Sequence, residues 1–111
     1  MPLAIPIDHF KVLFESKNKN GTPFLSESDF VKFIRAAFLG EPLKEKIKLK
    51  FGTGSKGQVI SLFHRFYSIG GQYEKSLHVR DRYIHLLTDN FDGWNFVHVK
   101  QNFKSQNENR N

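Results

Sequence analysis

The stretch Phe51 to Ile60, FGTGSKGQVI, spaces Gly52, Gly54 and Gly57 as GxGxxG ahead of an apolar run. In a dinucleotide-binding turn such glycines let the backbone approach a pyrophosphate. That chemistry also requires a buried parallel strand before the turn, a helix after it and an acid at the end of a second strand. Only the helix is supported. Lys46, Lys48 and Lys50 make KIKLKF a poor buried strand, and the acid about 20 residues on, Glu74, falls in the polar run QYEKS. The third glycine would lie inside the helix, where it lowers helix propensity. A smaller chemistry stays open: Gly54, Ser55 and Lys56, with the N–H groups of a helix start, form a candidate site for one phosphate or sulfate. Alternatively, the glycines only let the chain turn while Thr53 or Ser55 caps the helix.

Ser16 to Glu27, SKNKNGTPFLSE, has the outline of a calcium loop, with oxygen side chains at Ser16, Asn18 and Asn20, Gly21 sixth and Glu27 twelfth. The ligand chemistry opposes it. Ser stands where the first carboxylate belongs, Glu27 is the only carboxylate, and Lys17 and Lys19 add repulsion toward a cation. A helix-loop-helix is the better reading. The five histidines form no HExxH or paired His-carboxylate cluster, although His78 and His85 lie seven apart and Asp81 lies four before His85. Ser61 and Ser68 lie near His64, but no orienting acid or oxyanion signature accompanies them. The chain has no cysteine, so thiolate catalysis, disulfides and cysteine-ligated zinc are excluded, in keeping with a reducing compartment. No catalytic residue, metal or cofactor is expected, and an enzyme is not.

The strongest constellation is electrostatic. Of 111 residues with formal charge +6, the window Leu43 to Arg82 holds nine basic residues against Glu45, Glu74 and Asp81, and so accounts for the whole excess. Lys46, Lys48, Lys50, Lys56, Arg65, Arg80 and Arg82 are the candidate phosphate-contacting residues for nucleic acid. His64-Arg65 and Arg80-Asp81-Arg82 fall on the polar sides of two helical patterns, so these cations either converge or splay according to how the helices pack. A solvated basic face is the plain alternative. A DNA-reading helix-turn-helix is disfavoured, because Gly70 to Lys75 is a loose connection and no recognition helix stands out. Tyr73, Tyr83 and Trp94 lie near turns or helix ends and suit core packing with a polar tip in water; an aromatic patch for a protein partner is the second reading.

Helical elements must position these groups. Asp8 to Ser16 spaces Phe10, Leu13 and Phe14 for a short helix with Asp8 as N-cap. SESD at Ser26 to Asp29 is a capping signature, and Phe30, Phe33, Ile34, Ala37 and Phe38 then define a second helix ending before Gly40. Val59, Ile60, Phe63, Phe66 and Tyr67 mark a third, closed by Gly70-Gly71. Ser76 can cap a fourth, with Val79, Tyr83, Ile84, Leu86 and Leu87 inward before the Asp92-Gly93 turn. Asn95 can cap a fifth through Phe96, Val99 and Phe103. Lys44 to Phe51 admits both periods: Lys residues alternate as on an edge strand, while Leu43, Ile47 and Phe51 repeat every four residues. The extended reading is favoured. The fold expected is all-α, a compact single-domain bundle of about five helices over residues 1–103, with one short extended segment at 46–51 and a disordered polar tail at 104–111. Twelve phenylalanines supply the apolar area.

Met1 to Ile7 is short, holds two prolines and lacks a basic n-region, and no later apolar run approaches the roughly 20 residues of a membrane span. A soluble cytoplasmic protein without a membrane partner is expected. The run Tyr83 to Phe103, YIHLLTDNFDGWNFVHVKQNF, with FGTGSKG and LFHRFY, resembles small uncharacterised helical proteins of gut anaerobic bacteria and their mobile elements. The resemblance covers the second half of the chain and carries no site residues. It implies a bacterial cytoplasmic setting and an accessory role near DNA.

Overall fold

A computed structural model describes residues 2–15, 23–50, 56–70 and 79–103. The described residues form α1 (Ala4–Phe10), α2 (Val12–Glu15), α3 (Glu27–Phe38), α4 (Lys56–Gly70), α5 (Val79–Thr88) and α6 (Phe96–Asn102). α1 and α2 are separated only by Lys11, so the described residues form five helical units. The all-α bundle is therefore as the periodicities require. Its radius of gyration is 13.5 Å, close to the roughly 13 Å of a folded domain of this length.

The first helix starts earlier than Asp8. Its N-cap is Leu3, and Pro6 lies within the first turn, where the missing N–H has no intrahelical partner to lose. Asp8 is instead a mid-helix residue paired with Lys11 at 3.8 Å. At Lys11 the hydrogen bonding tightens, with Phe14 N–H donating to the Lys11 carbonyl at 3.1 Å. This bend leaves both Phe10 and Leu13 buried.

α3 begins as its capping signature predicts: the Asp29 N–H donates to Ser26 Oγ at 3.1 Å. It ends before Gly40, whose φ of +72° is the left-handed geometry that favours glycine. α6 is capped in the same way, by the His98 N–H on Asn95 Oδ1 at 3.0 Å. The turn before it places Gly93 at φ +86°. The Ser76 cap, the Gly71 stop and the tail at 104–111 lie outside the described residues.

Phenylalanine rings join the helices. Phe10 meets Phe33 edge-on at 5.2 Å and 86°, and lies 4.7 Å from Phe66 and 4.8 Å from Phe63. Phe33 in turn lies 4.9 Å from Phe91. Offset and edge-to-face rings each add about 0.5–1.5 kcal/mol beyond burial, and these five are all essentially inaccessible. α1, α3, α4 and the turn after α5 thus share one aromatic centre. Tyr83, Ile84 and Leu87 are buried, with Val79 and Leu86 half-buried against them.

The ambiguous segment is extended. Ile47 forms a single parallel bridge with Phe91: its N–H donates to the Asn90 carbonyl and its carbonyl accepts from the Asp92 N–H, both at 2.8 Å. Lys50 N–H donates to the Phe24 carbonyl at 2.9 Å. Extension is described through Lys50; Phe51 lies outside the described residues. The segment's partner is the last turn after α5, which carries no strand pattern of its own. Among the described residues, no helix is long and apolar enough to cross a membrane.

Candidate nucleic-acid interface

Extension sorts the segment's side chains by parity. Ile47 and Leu49 enter the core at 6% and 8% exposure, which leaves Lys46, Lys48 and Lys50 exposed in a row. Side chains two apart on an extended chain are separated by about 6.6 Å. The row borders an open depression of ≈ 670 Å³ lined by Asp29, Lys32 and the chain from Pro42 to Lys48. Within it Lys32 lies 3.9 Å from Asp29. Lys44 and Lys48 are exposed and have no partner among the described residues. Lys46 differs: its ammonium donates to the Thr88 carbonyl at 3.0 Å. That carbonyl belongs to the C-terminal turn of α5, where a cation is favoured by the helix dipole.

The other candidate cations scatter. Arg82 lines a separate depression of ≈ 430 Å³ between α3 and α5, with Ala36, Ala37, His85 and Asp89. Both depressions adjoin a third, of ≈ 340 Å³, which shares Lys44 and Lys46 with the first and Asp89 and Asn90 with the second. Arg80 is spent on the C-terminal end of α6: its guanidinium donates to the Phe103 carbonyl and lies over the Phe103 ring at 5.4 Å. Asp81 pairs with Lys100 at 3.4 Å. Lys56, the first residue of α4, holds its ammonium 5.1 Å from the Trp94 ring. Arg65 is exposed on α4, beside His9. Thus Lys46, Lys48 and Lys50 share one edge, and Arg82 lies further along connected depressions. Lys56, Arg65 and Arg80 take up separate local positions.

Gly54 and Ser55 of the anion-site reading lie outside the described residues, as do most of the calcium-like loop and His78. Gly57 does fall inside α4, as expected, and a Cβ there would meet nothing within 4 Å. No close approach to the backbone at Gly57 requires a glycine.

The remaining polar groups are tied into the fold. Ser61 is buried at 4% exposure, and Ser68 Oγ donates to the His64 carbonyl at 3.2 Å. The His64 ring packs edge-on against Phe103 at 5.2 Å. His85 is bonded through Nδ1 to Asp89 at 3.2 Å and stacks on Phe96 at 4.6 Å and 21°. His9 Nε2 donates to the Leu62 carbonyl at 2.8 Å. Burial pushes the His9 pKa below its ordinary 6.5; the carbonyl opposes the shift, and the Arg65 charge adds to it. Among the described residues no group of three or more His, Asp or Glu side chains is placed to hold a metal.

Lys32 and Lys44 were not among the seven candidates. Lys44 belongs to the same alternating run and was legible there. Lys32 joins the depression only because α3 packs beside the 42–48 segment, and no local spacing announces that. The chain matches no protein family, no curated protein and no solved structure.

Proposed function

We propose that the protein binds nucleic acid through phosphate contacts of Lys48 and Lys50 on the extended edge and of Lys44 at the bend before it, with Lys32 across the adjoining depression and Lys46 held on the Thr88 carbonyl. The observation that carries this reading is the alternation itself: two apolar residues anchor the segment in the core and hold successive lysines toward solvent. Exposed cations held on a fixed backbone suit a polyanion. Lysine is a point charge without the planar fork of arginine, so contact along this edge favours phosphate over base edges and little sequence preference. Such a role belongs in the cytoplasm of a bacterial cell, as an accessory to DNA.

The test is binding to a labelled mixed-sequence duplex from about 50 to 200 mM salt. If three lysines each displace about 0.9 counterion, log K falls against log salt with a slope of about −2.7. A Lys44→Glu/Lys48→Glu variant should lose this binding, and Arg65→Glu, on α4, should keep most of it. Absence of wild-type binding at the lowest salt refutes the reading. A second reading, a module for a protein partner, is favoured by Leu3, Ile7 and Val12, which are 36–39% exposed on α1 and α2. It predicts association that depends little on salt and is lost in Ile7→Asp.

A further inference from the structure

We propose that His9 is an acid-sensitive latch that holds α1 on α4 while neutral and releases it when protonated. The geometry is that of a group with one good state. The imidazole lies 5.0 Å from the Phe10 ring, edge-on, and 5.4 Å from the Phe66 ring. Its Nε2–H bond to the Leu62 carbonyl, at 2.8 Å, is the described polar tie from α1 to α4. Leu62 lies in the middle of α4, so its carbonyl gains a second donor rather than satisfying an orphaned helix end.

A proton on Nδ1 would place a cation in this packing with no anion among the described residues placed to meet it. The sequence of α4, KGQVISLFHRFYSIG, contains no carboxylate. Its charged group facing His9 is Arg65, a cation. The other titratable groups of α4 point elsewhere: the Lys56 ammonium lies at Trp94, the His64 ring lies against Phe103, and the Tyr67 ring lies against Tyr83 and Phe103. On the N-terminal side, Asp8 is exposed and lies 3.8 Å from Lys11, and Glu15 is exposed on α2. Burial and like charge therefore act together against the imidazolium. The depressed His9 pKa has these same causes.

The element held is one that can move alone. α1 has seven residues, too few for stable helix formation in isolation. It leans on the rest of the protein chiefly through Phe10, with Pro6 buried and Ile5 half-buried beside it. Its outer side already exposes Leu3 and Ile7. Release would add Phe10, and on α4 Phe63 and Phe66, to the accessible apolar surface. Acidification thus converts a covered aromatic centre into an exposed one while α5 and α6 keep their mutual packing.

Amide exchange, corrected for the intrinsic pH dependence of exchange, tests the latch between about pH 7.5 and about pH 5, a window that spans the ordinary histidine pKa. Protection of the Ile7 to Lys11 amides should fall relative to that of the Tyr83 to Leu87 amides. His9→Gln, whose side-chain amide can donate to the Leu62 carbonyl but cannot titrate, should abolish that selective fall. Arg65→Gln, which removes the facing cation and leaves His9 in place, should make the fall smaller, because the folded-state pKa of His9 then lies nearer 6.5. A wild-type ratio that stays constant overturns the proposal. So does an equal loss of protection in both helices, or a selective fall that persists in His9→Gln. Should His9→Gln fail to fold, a selective fall in Arg65→Gln as large as that of wild type overturns it independently.

Discussion

Lys46 and Lys48 are two residues apart on the same exposed edge, yet they should fail differently when changed to methionine. Methionine keeps most of the apolar stem and deletes the charge. At Lys46 the deleted group is the ammonium that donates to the Thr88 carbonyl at 3.0 Å. Charge-assisted hydrogen bonds contribute about 1.5–3 kcal/mol, and a cation at a helix C-terminus about 0.3–1 kcal/mol. Ordering a lysine side chain opposes this by as much as about 2 kcal/mol, and the residue's exposure screens the charge. The net is about 1 kcal/mol, or a Tm lower by about 4–8 °C in a domain of this size class. At Lys48 no partner among the described residues is lost, so the Tm should stay within about 2 °C, the scale of a neutral surface substitution. Binding to nucleic acid should invert the order: Lys48→Met removes one phosphate contact and lowers the salt slope by about 0.9. Thermal unfolding by circular dichroism and a salt series on the same two proteins supply both readouts. Equal Tm values for Lys46→Met and wild type would refute the assignment of Lys46 to the end of α5. An undiminished salt slope in Lys48→Met would refute the assignment of Lys48 to phosphate.

Three other outcomes follow from local geometry. Gly57→Ala should stabilise by about 0.5–1 kcal/mol in urea unfolding, because Gly57 is helical and an added Cβ meets nothing within 4 Å; a loss of stability would mean that the position needs its glycine. Gly93→Ala should destabilise by about 1–2 kcal/mol, since φ of +86° strains any side chain even where space is open. The difference in unfolding free energy between wild type and His9→Gln should rise with pH from the lowered folded pKa up to 6.5 and level off above it. In that window the unfolded chain binds the His9 proton more readily than the folded one, so acid removes stability; a pH-independent difference between the two proteins would contradict this.

What the amino-acid sequence determined by itself is local and periodic. The spacing of Phe30, Phe33 and Ile34 behind Ser26 defines α3 and its cap, and Asn95 does the same for α6, because caps and apolar stripes are interactions within one helical turn or two. Gly40 and Gly93 were legible as left-handed positions for the same reason. Asp8 misled because its side chain suits a cap, whereas Pro6 is equally at home in a first helical turn and the apolar residues before it gain by burial. The Lys44–Lys50 run carried two periods at once, and only long-range bonds from Ile47 to Asn90 and Asp92 selected the extended one. Tertiary structure also decided the fate of each cation. Charge counting treats Arg80, Lys56 and Lys48 alike, but the end of α6 brings a carbonyl to Arg80 and the turn before α6 brings a ring to Lys56, while nothing among the described residues is brought to Lys48. The His9 latch is of the same kind. His9 is one of five histidines in the sequence, and only the packing of α1 on a carboxylate-free helix gives its proton a consequence for the fold.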